Sequence, residues 1–159
     1  MKELSETDAW YRLTAMCSLS EHCLQEMSEK MNKWGIPKEA QENILKKLKE
    51  EKYIDEERFC RFFVHDKFLY NKWGKMKIAK ELRCKRISPH IIEKQLEQID
   101  ADEYSNVLKE LLKTKKKSIK GKNEYEINGK LIRFALGKGF DMETIRLCIN
   151  TDEYESMDS

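Results

Sequence analysis

One apolar skeleton occurs three times in this chain, at positions nine before, five before, at, five after and nine after a pivot residue. The pivots are Ile36, Ile87 and Phe140. The copies read Met27, Met31, Ile36, Gln41 and Leu45, then Ile78, Leu82, Ile87, Ile92 and Leu96, then Leu131, Ala135, Phe140, Ile145 and Ile149, with Gln41 the one polar member. Self-similarity at spacings of 51 and 53 residues marks a tandem array. On either side of each pivot stands a pair spaced i, i+4, as two helices need if both are to face a shared seam around a tight corner.

The corner residues agree. Gly35 and Gly139 precede their pivots, where a helix end favours left-handed backbone. The second copy carries Arg86 there, so a less favourable helix end is expected. Pro37, Ser88-Pro89 and Asp141 follow the pivots as helix-start signals. Ser88 can accept from exposed amides, and Pro89 at the first helical position sacrifices no hydrogen bond.

Charged residues make up 38% of the chain against six glycines and two prolines, a composition of long solvated helices and not of a turn-rich β fold. Helical periodicity extends outward from each pivot. In the first unit it predicts helices over about 8–16, 20–34 and 37–52. Asp55, a plausible N-cap, opens an aromatic helix whose Phe59, Phe62 and Phe63 are expected in the core, followed by helices over 75–86 and 89–99. In the third unit Tyr104, Val107, Leu108, Leu111 and Leu112 form a stripe, a lysine-rich link follows, and helices are expected over 125–136 and 142–150. The expected fold is all-α: a tandem array of three three-helix repeats, residues 8–54, 55–100 and 101–150, forming an elongated curved rod, with 151–159 an acidic, disordered tail. A unit of ~50 residues has little interior of its own, so stacking on neighbours should supply much of its stability.

Little in the chain suggests catalysis. Five cysteines, Cys17, Cys23, Cys60, Cys84 and Cys148, are odd in number and form no CxxC pair, which argues against a disulfide framework or a zinc site and for reduced core residues. His22, His65 and His90 lie in separate helices, and no HExxH, nucleophile elbow or phosphate loop occurs. Gly137-Lys138-Gly139 lacks the Lys-Ser/Thr ending of a phosphate loop and reads as a helix C-terminal turn. No catalytic residue, metal or cofactor is expected. An apolar leader and a membrane-length apolar run are both missing, which points to a soluble cytoplasmic protein; a monomer is the separate expectation.

Charge is the more informative property. The net charge is +2, distributed as −1 over 1–54, +3 over 55–100 and 0 over 101–159. On a helical wheel Ile78 and Leu82 mark the buried face of the helix over 75–86, with Lys77, Lys80 and Arg83 opposite and Lys75, Lys85 and Arg86 near its ends. Lys113, Lys115, Lys116, Lys117, Lys120 and Lys122 form a second cluster, expected to be solvated, mobile and suited to electrostatic steering. The candidate partner-binding or DNA-binding residues are Lys75, Lys77, Lys80, Arg83, Lys85, Arg86, Lys115, Lys116 and Lys117. Aromatic residues are not interleaved with either cluster as a base-stacking platform requires. The helix after Ile87 offers His90, Glu93, Lys94 and Gln95, a weak set for reading bases.

Three such units, with Lys52-Tyr53-Ile54-Asp55-Glu56-Glu57-Arg58-Phe59-Cys60 between the first two and the run from Gly74 to Ile87 in the second, resemble the RecX family. Ser20-Glu21, Met27, Met31 and Trp34-Gly35-Ile36 match the family's first unit, whereas Arg86 departs from its usual glycine. The resemblance covers about residues 8–150 and is strongest from Tyr53 to Leu96. It implies a non-enzymatic bacterial regulator that binds in the groove of the RecA nucleoprotein filament, with weak direct DNA contact possible, and restrains filament growth, ATP hydrolysis, strand exchange and coprotease activity. The alternatives are a general nucleic-acid-binding helical module acting without RecA and a helical adaptor for another acidic partner.

Overall fold

The structure, a computed structural model, describes residues 4–157 and the side chains as far as Ile149. Its described residues form nine helices and no strand: α1 (Glu6–Leu19), α2 (Leu24–Lys33), α3 (Lys38–Glu50), α4 (Glu56–Leu69), α5 (Lys75–Cys84), α6 (Pro89–Glu97), α7 (Ala101–Lys116), α8 (Glu124–Gly137) and α9 (Met142–Met157). The side chains of the acidic tail expected over 151–159 lie outside the described residues. No helix among the described residues is long and apolar enough to cross a membrane.

The three pivots are three copies of one helix ending. The amides of Ile36, Ile87 and Phe140 donate to Met31 O, Leu82 O and Ala135 O at 3.0, 3.1 and 3.1 Å. Those of Gly35, Arg86 and Gly139 donate to Asn32 O, Arg83 O and Leu136 O at 3.2, 2.9 and 3.0 Å. This paired pattern is the Schellman motif, which satisfies two carbonyls that a helix end would leave orphaned and brings the residue after the left-handed one onto the last turn. Both skeleton positions involved, the pivot and the residue five before it, are buried in every copy. The middle residue has φ of 71° at Gly35, 59° at Arg86 and 97° at Gly139. Arg86 therefore holds a side chain in backbone space that costs about 1–2 kcal/mol outside glycine. Arg86→Gly is expected to raise stability by about 1 kcal/mol or slightly less, glycine's own flexibility offsetting part of the relief. Urea unfolding would read this as a higher midpoint at unchanged slope.

Past the pivots the positions five on, Gln41, Ile92 and Ile145, are buried as expected, and so is Ile149; Leu45 and Leu96 are only half-buried, and the position eight on, Ile44, Gln95 and Cys148, is buried in addition. Gln41 is the polar exception. Its Nε2 donates to Ile36 O and to Asn32 Oδ1, both at 2.9 Å, so the amide serves the pivot's own carbonyl and its burial is compensated.

Tertiary partners explain the other departures. α2 starts at Leu24 and not at Ser20, because the Glu21 carboxylate accepts from Arg58 Nε at 2.7 Å and is held in an extended connector. Ser88 Oγ stands 2.7 Å from His90 Nδ1 instead of capping an amide. Asp55 and Asp141 do cap, accepting from Arg58 N and Thr144 N at 3.0 Å each. Phe59 is buried and Phe63 half-buried, but Phe62 is 46% exposed, pointing away from the core beside Arg61.

Packing divides the chain into two compact units, one of residues 1–63 and 82–92, the other of 64–81 and 93–159. In the first, α1 and α2 pack on α3 around Ala9, Leu13, Met27, Met31, Ile36, Ile44, Leu48 and Ile54. In the second, α7, α8 and α9 pack on one another. Its core includes Leu108, Leu112, Leu131 and Ile145 and a run of rings, Phe68, Tyr104 and Phe140, with centroids 5.7 and 5.1 Å apart.

The first unit also buries a carboxylate. Desolvation pushes Glu56 up to about 6, against the opposing pull of a hydrogen bond from the Leu24 amide and the charge of Lys49, and its Oε2 has no partner among the described residues. The raised folded-state value means that the neutral form is favoured in the fold. The associated stability is fully present below the unfolded value near 4.5 and is lost as pH rises through about 6. Glu56→Gln is expected to raise stability near pH 7 by about 1 kcal/mol, discounted for solvent screening, and to flatten this part of the melting-temperature profile measured across acidic to neutral pH.

Candidate interaction surface

α5 carries four of the nine cationic candidates, Lys75, Lys77, Lys80 and Arg83, and the fold treats them unequally. Its first amides are anchored in the second unit: Gly74 N donates to Lys138 O at 2.7 Å, Met76 N to Gly139 O at 3.0 Å and Lys75 N to the Tyr104 hydroxyl at 3.0 Å. These are groups that a helix start otherwise leaves unpaired. The crossing is possible because Gly74 and Gly139 meet backbone to backbone. A Cβ on Gly74 would overlap Gly139 and the Phe140 amide, and one on Gly139 would overlap Lys77. Burial pushes the Tyr104 phenol up to about 12, so it remains a neutral hydroxyl donor and acceptor at physiological pH.

Each candidate can then be placed. In the second unit, Lys75 Nζ lies 4.9 Å from the Tyr104 ring centre and Lys77 Nζ 4.4 Å from that of Trp73, while Lys80 is exposed. In the first unit, Lys85 Nζ is 3.9 Å from Glu26 Oε1, a carboxylate that also meets His22 Nδ1 at 3.2 Å, whereas Arg83 and Arg86 are exposed. Lys80, Arg83 and Arg86 make no ion pair among the described residues. Helical geometry puts positions 80 and 83 on the side of α5 opposite the buried Ile78 and Leu82.

The lysine run differs from the solvated link expected. α7 continues to Lys116, so Lys113, Lys115 and Lys116 form its last turn, where positive charge complements the helix dipole. Lys115 Nζ lies over the Phe134 ring at 5.1 Å, and Lys116 and Lys117 are exposed. Aromatic rings that are not interleaved with the basic clusters in sequence nevertheless meet some of these lysines in the fold. Trp73, at the corner between α4 and α5, has Lys67 Nζ at 4.8 Å and Lys77 Nζ at 4.4 Å. Its position four residues after the end of α4 lies outside any helical period that would have signalled this.

The remaining chemistry is quiet. No disulfide forms, and Cys84 is exposed, unlike the buried Cys23, Cys60 and Cys148. Burial pushes Cys23 up to about 12 and Cys60 up to about 11, which keeps both as protonated, weakly nucleophilic thiols. Among the described residues no group of His, Cys, Asp or Glu is arranged to hold a metal ion.

Fold and surface thus define an all-α helical-repeat protein whose middle helices offer cationic side chains. Two family profiles match it: "RecX, second three-helix domain" over residues 55–96 and "RecX, third three-helix domain" over 102–149. The chain belongs to the RecX family. It is 29% identical over 146 residues to the regulatory protein RecX of Prosthecochloris aestuarii, covering 92% of this chain and 94% of that protein. It is 28% identical over 155 residues to that of Lactobacillus johnsonii, covering 96% of this chain but 57% of the relative. The chain likewise spans 58% and 66% of the Clostridium tetani and Caldanaerobacter subterraneus relatives. A crystal structure of regulatory protein RecX superposes with a TM-score of 0.85 at 21% identity, over 91% of this chain and 73% of the other, a likeness of fold.

Proposed function

We propose that this chain is a non-enzymatic cytoplasmic regulator that binds the RecA–DNA filament and restrains its recombinase, ATPase and coprotease activities in homologous recombination, DNA repair and the SOS response. The observation that carries the reading is membership of a family whose relatives bear the name regulatory protein. The surface is compatible with it. Lys80, Arg83 and Arg86 are exposed and make no ion pair among the described residues, so their charge is available to an anionic partner. A filament repeats its surface, so several weak contacts along one bound chain add through effective concentration.

The test is a titration of the cognate RecA with the full chain, following DNA-dependent ATP hydrolysis and strand exchange. Inhibition that saturates at a fixed ratio of chain to RecA is the expected result. Unchanged hydrolysis and strand exchange at chain concentrations equal to RecA would overturn the reading.

A further inference from the structure

One side of α8 is apolar and uncovered. Tyr125 is 88% exposed and Leu136 42% exposed, and Ile132 between them is half-buried. With Gly129 they follow one another at spacings of four, three and four residues, the pattern of a helix seam that meets a second helix. Tyr125, Gly129 and Ile132 line a groove of about 650 Å³ together with Glu126, Asn128 and Arg133, all within the second unit. A Cβ on Gly129 would meet nothing within 4 Å. Packing inside the chain therefore gives no reason for a glycine there, although glycine weakens a helix interior.

The stripe is complementary to itself. If two α8 helices lie antiparallel about a two-fold axis between positions 130 and 131, Tyr125 of one copy faces Leu136 of the other, and Ile132 faces the notch at Gly129. A two-fold contact requires this, since each position must suit the one that the symmetry brings opposite. The missing side chain at Gly129 lets the backbones approach closely around Ile132. Charge agrees with the register. Arg133 and Glu126 share one flank of the stripe, and Arg133 of one copy lies two residues, roughly 3 Å along the axis, from the level of Glu126 of the other. Arg133 is exposed and makes no ion pair among the described residues. Glu126 is 3.7 Å from Lys130 and half-buried, with its outer side open to a second cation. A net charge of +2 opposes self-association only slightly.

We propose that Tyr125, Gly129, Ile132 and Leu136 form a dimer interface that takes α8 of a second copy, antiparallel and held in register by two Arg133–Glu126 pairs. One helix against one helix is smaller than a standard interface, so the dimer is weak and depends on concentration. This interface goes beyond the regulatory reading, stands or falls apart from it, and departs from the monomer expected from the sequence.

The experiment is analytical sedimentation of the full chain from about 5 to about 500 μM, the range in which a weak dimer forms. The average mass is expected to rise with concentration from the 19.0 kDa of one chain toward twice that value. Arg133→Glu, which sets carboxylate against carboxylate, and Leu136→Glu, which puts charge into the seam, should each raise the dissociation constant about tenfold. Adding Glu126→Arg to Arg133→Glu should recover most of the loss. Gly129→Ala fills the notch and should weaken the dimer roughly threefold or more while raising the melting temperature measured at low concentration, a pairing that a change in folding alone does not produce. Lys46→Glu, on an exposed surface of the first unit, is the charge control and should leave the dimer unchanged. Melting temperatures establish that each variant is folded. A mass that stays at one chain throughout overturns the proposal and leaves the stripe to a helix of a different protein. A dimer that persists undiminished in both Arg133→Glu and Leu136→Glu overturns it equally, because the contact then lies on another face.

Discussion

Gly74→Ala is expected to destabilise the second unit by about 3–5 kcal/mol, a cost built from backbone overlap and lost buried hydrogen bonds. The added Cβ would overlap Gly139 and the Phe140 amide, and backbone, unlike the tip of a side chain, cannot rotate away. Separating the two segments to make room would stretch the bonds from Gly74 N to Lys138 O and from Met76 N to Gly139 O. It would also pull Lys75 N from the Tyr104 hydroxyl, whose ring lies against Phe68 and Phe140. For a chain of this size the melting temperature should fall by roughly 10 °C.

The control lies in α8. Gly129 and Gly137 have open space where a Cβ would stand, and both lie in the helix. Gly129→Ala should therefore raise stability by roughly 0.5–1 kcal/mol through reduced unfolded-state freedom and better helix propensity. Calorimetric melts of the two variants should thus move in opposite directions. Similar small shifts for both would mean that the Gly74–Gly139 crossing tolerates a side chain and does not fix α5 against the α8–α9 corner.

This crossing also shows where sequence reading stops. The three Schellman endings were legible because each is local: a helix period, a residue suited to positive φ and an apolar residue following it lie within a few positions, so Gly35-Ile36 and Gly139-Phe140 announce themselves. Arg86 was legible as a departure for the same reason, and its φ of 59° is the strain that departure implied. The caps at Asp55 and Asp141 are equally local. The hold on α5 is not. Gly74 reads as a helix separator, and nothing within ten residues says that its value lies in meeting Gly139, 65 positions away. Glu21 looks like a first-turn helix charge until Arg58 claims it. Gln41 breaks an apolar pattern until its amide is seen serving Ile36 O.

The candidate surface divides along the same line. Helical period alone assigns Lys77, Lys80 and Arg83 to the solvent side of α5; the fold leaves Lys80 and Arg83 exposed but half-buries Lys77 beside Trp73 and Gly139. Lys75 and Lys85, near the helix ends, have likewise acquired Tyr104 and Glu26 as neighbours, since aromatic rings and carboxylates from elsewhere in the chain decide whether a cation is engaged. Trp73 was missed because its partners come from both sides of a corner, where neither a 3.6-residue nor a two-residue period applies.

Those exposed positions carry the second large effect. Lys80→Glu, Arg83→Glu and Arg86→Glu together are expected to raise the chain concentration needed for half-inhibition of RecA ATP hydrolysis by roughly tenfold or more, because like charge would replace attraction at each contact along the filament. Stability should change by no more than about 0.5 kcal/mol, as exposed side chains without ion pairs contribute little to the fold, so a melt at equal salt separates lost contact from lost structure. Lys33→Glu, Lys38→Glu and Lys46→Glu, at exposed positions of α2 and α3, produce the same change in net charge. If that control loses as much inhibition, total charge and not the α5 side is responsible. If the α5 reversal inhibits as well as the parent, Lys80, Arg83 and Arg86 are not the contact. Arg86→Gly sharpens the distinction within the set. It removes one positive charge while relieving the left-handed strain, so a contact role predicts weaker inhibition from a more stable protein, a combination that a purely structural role for Arg86 does not produce.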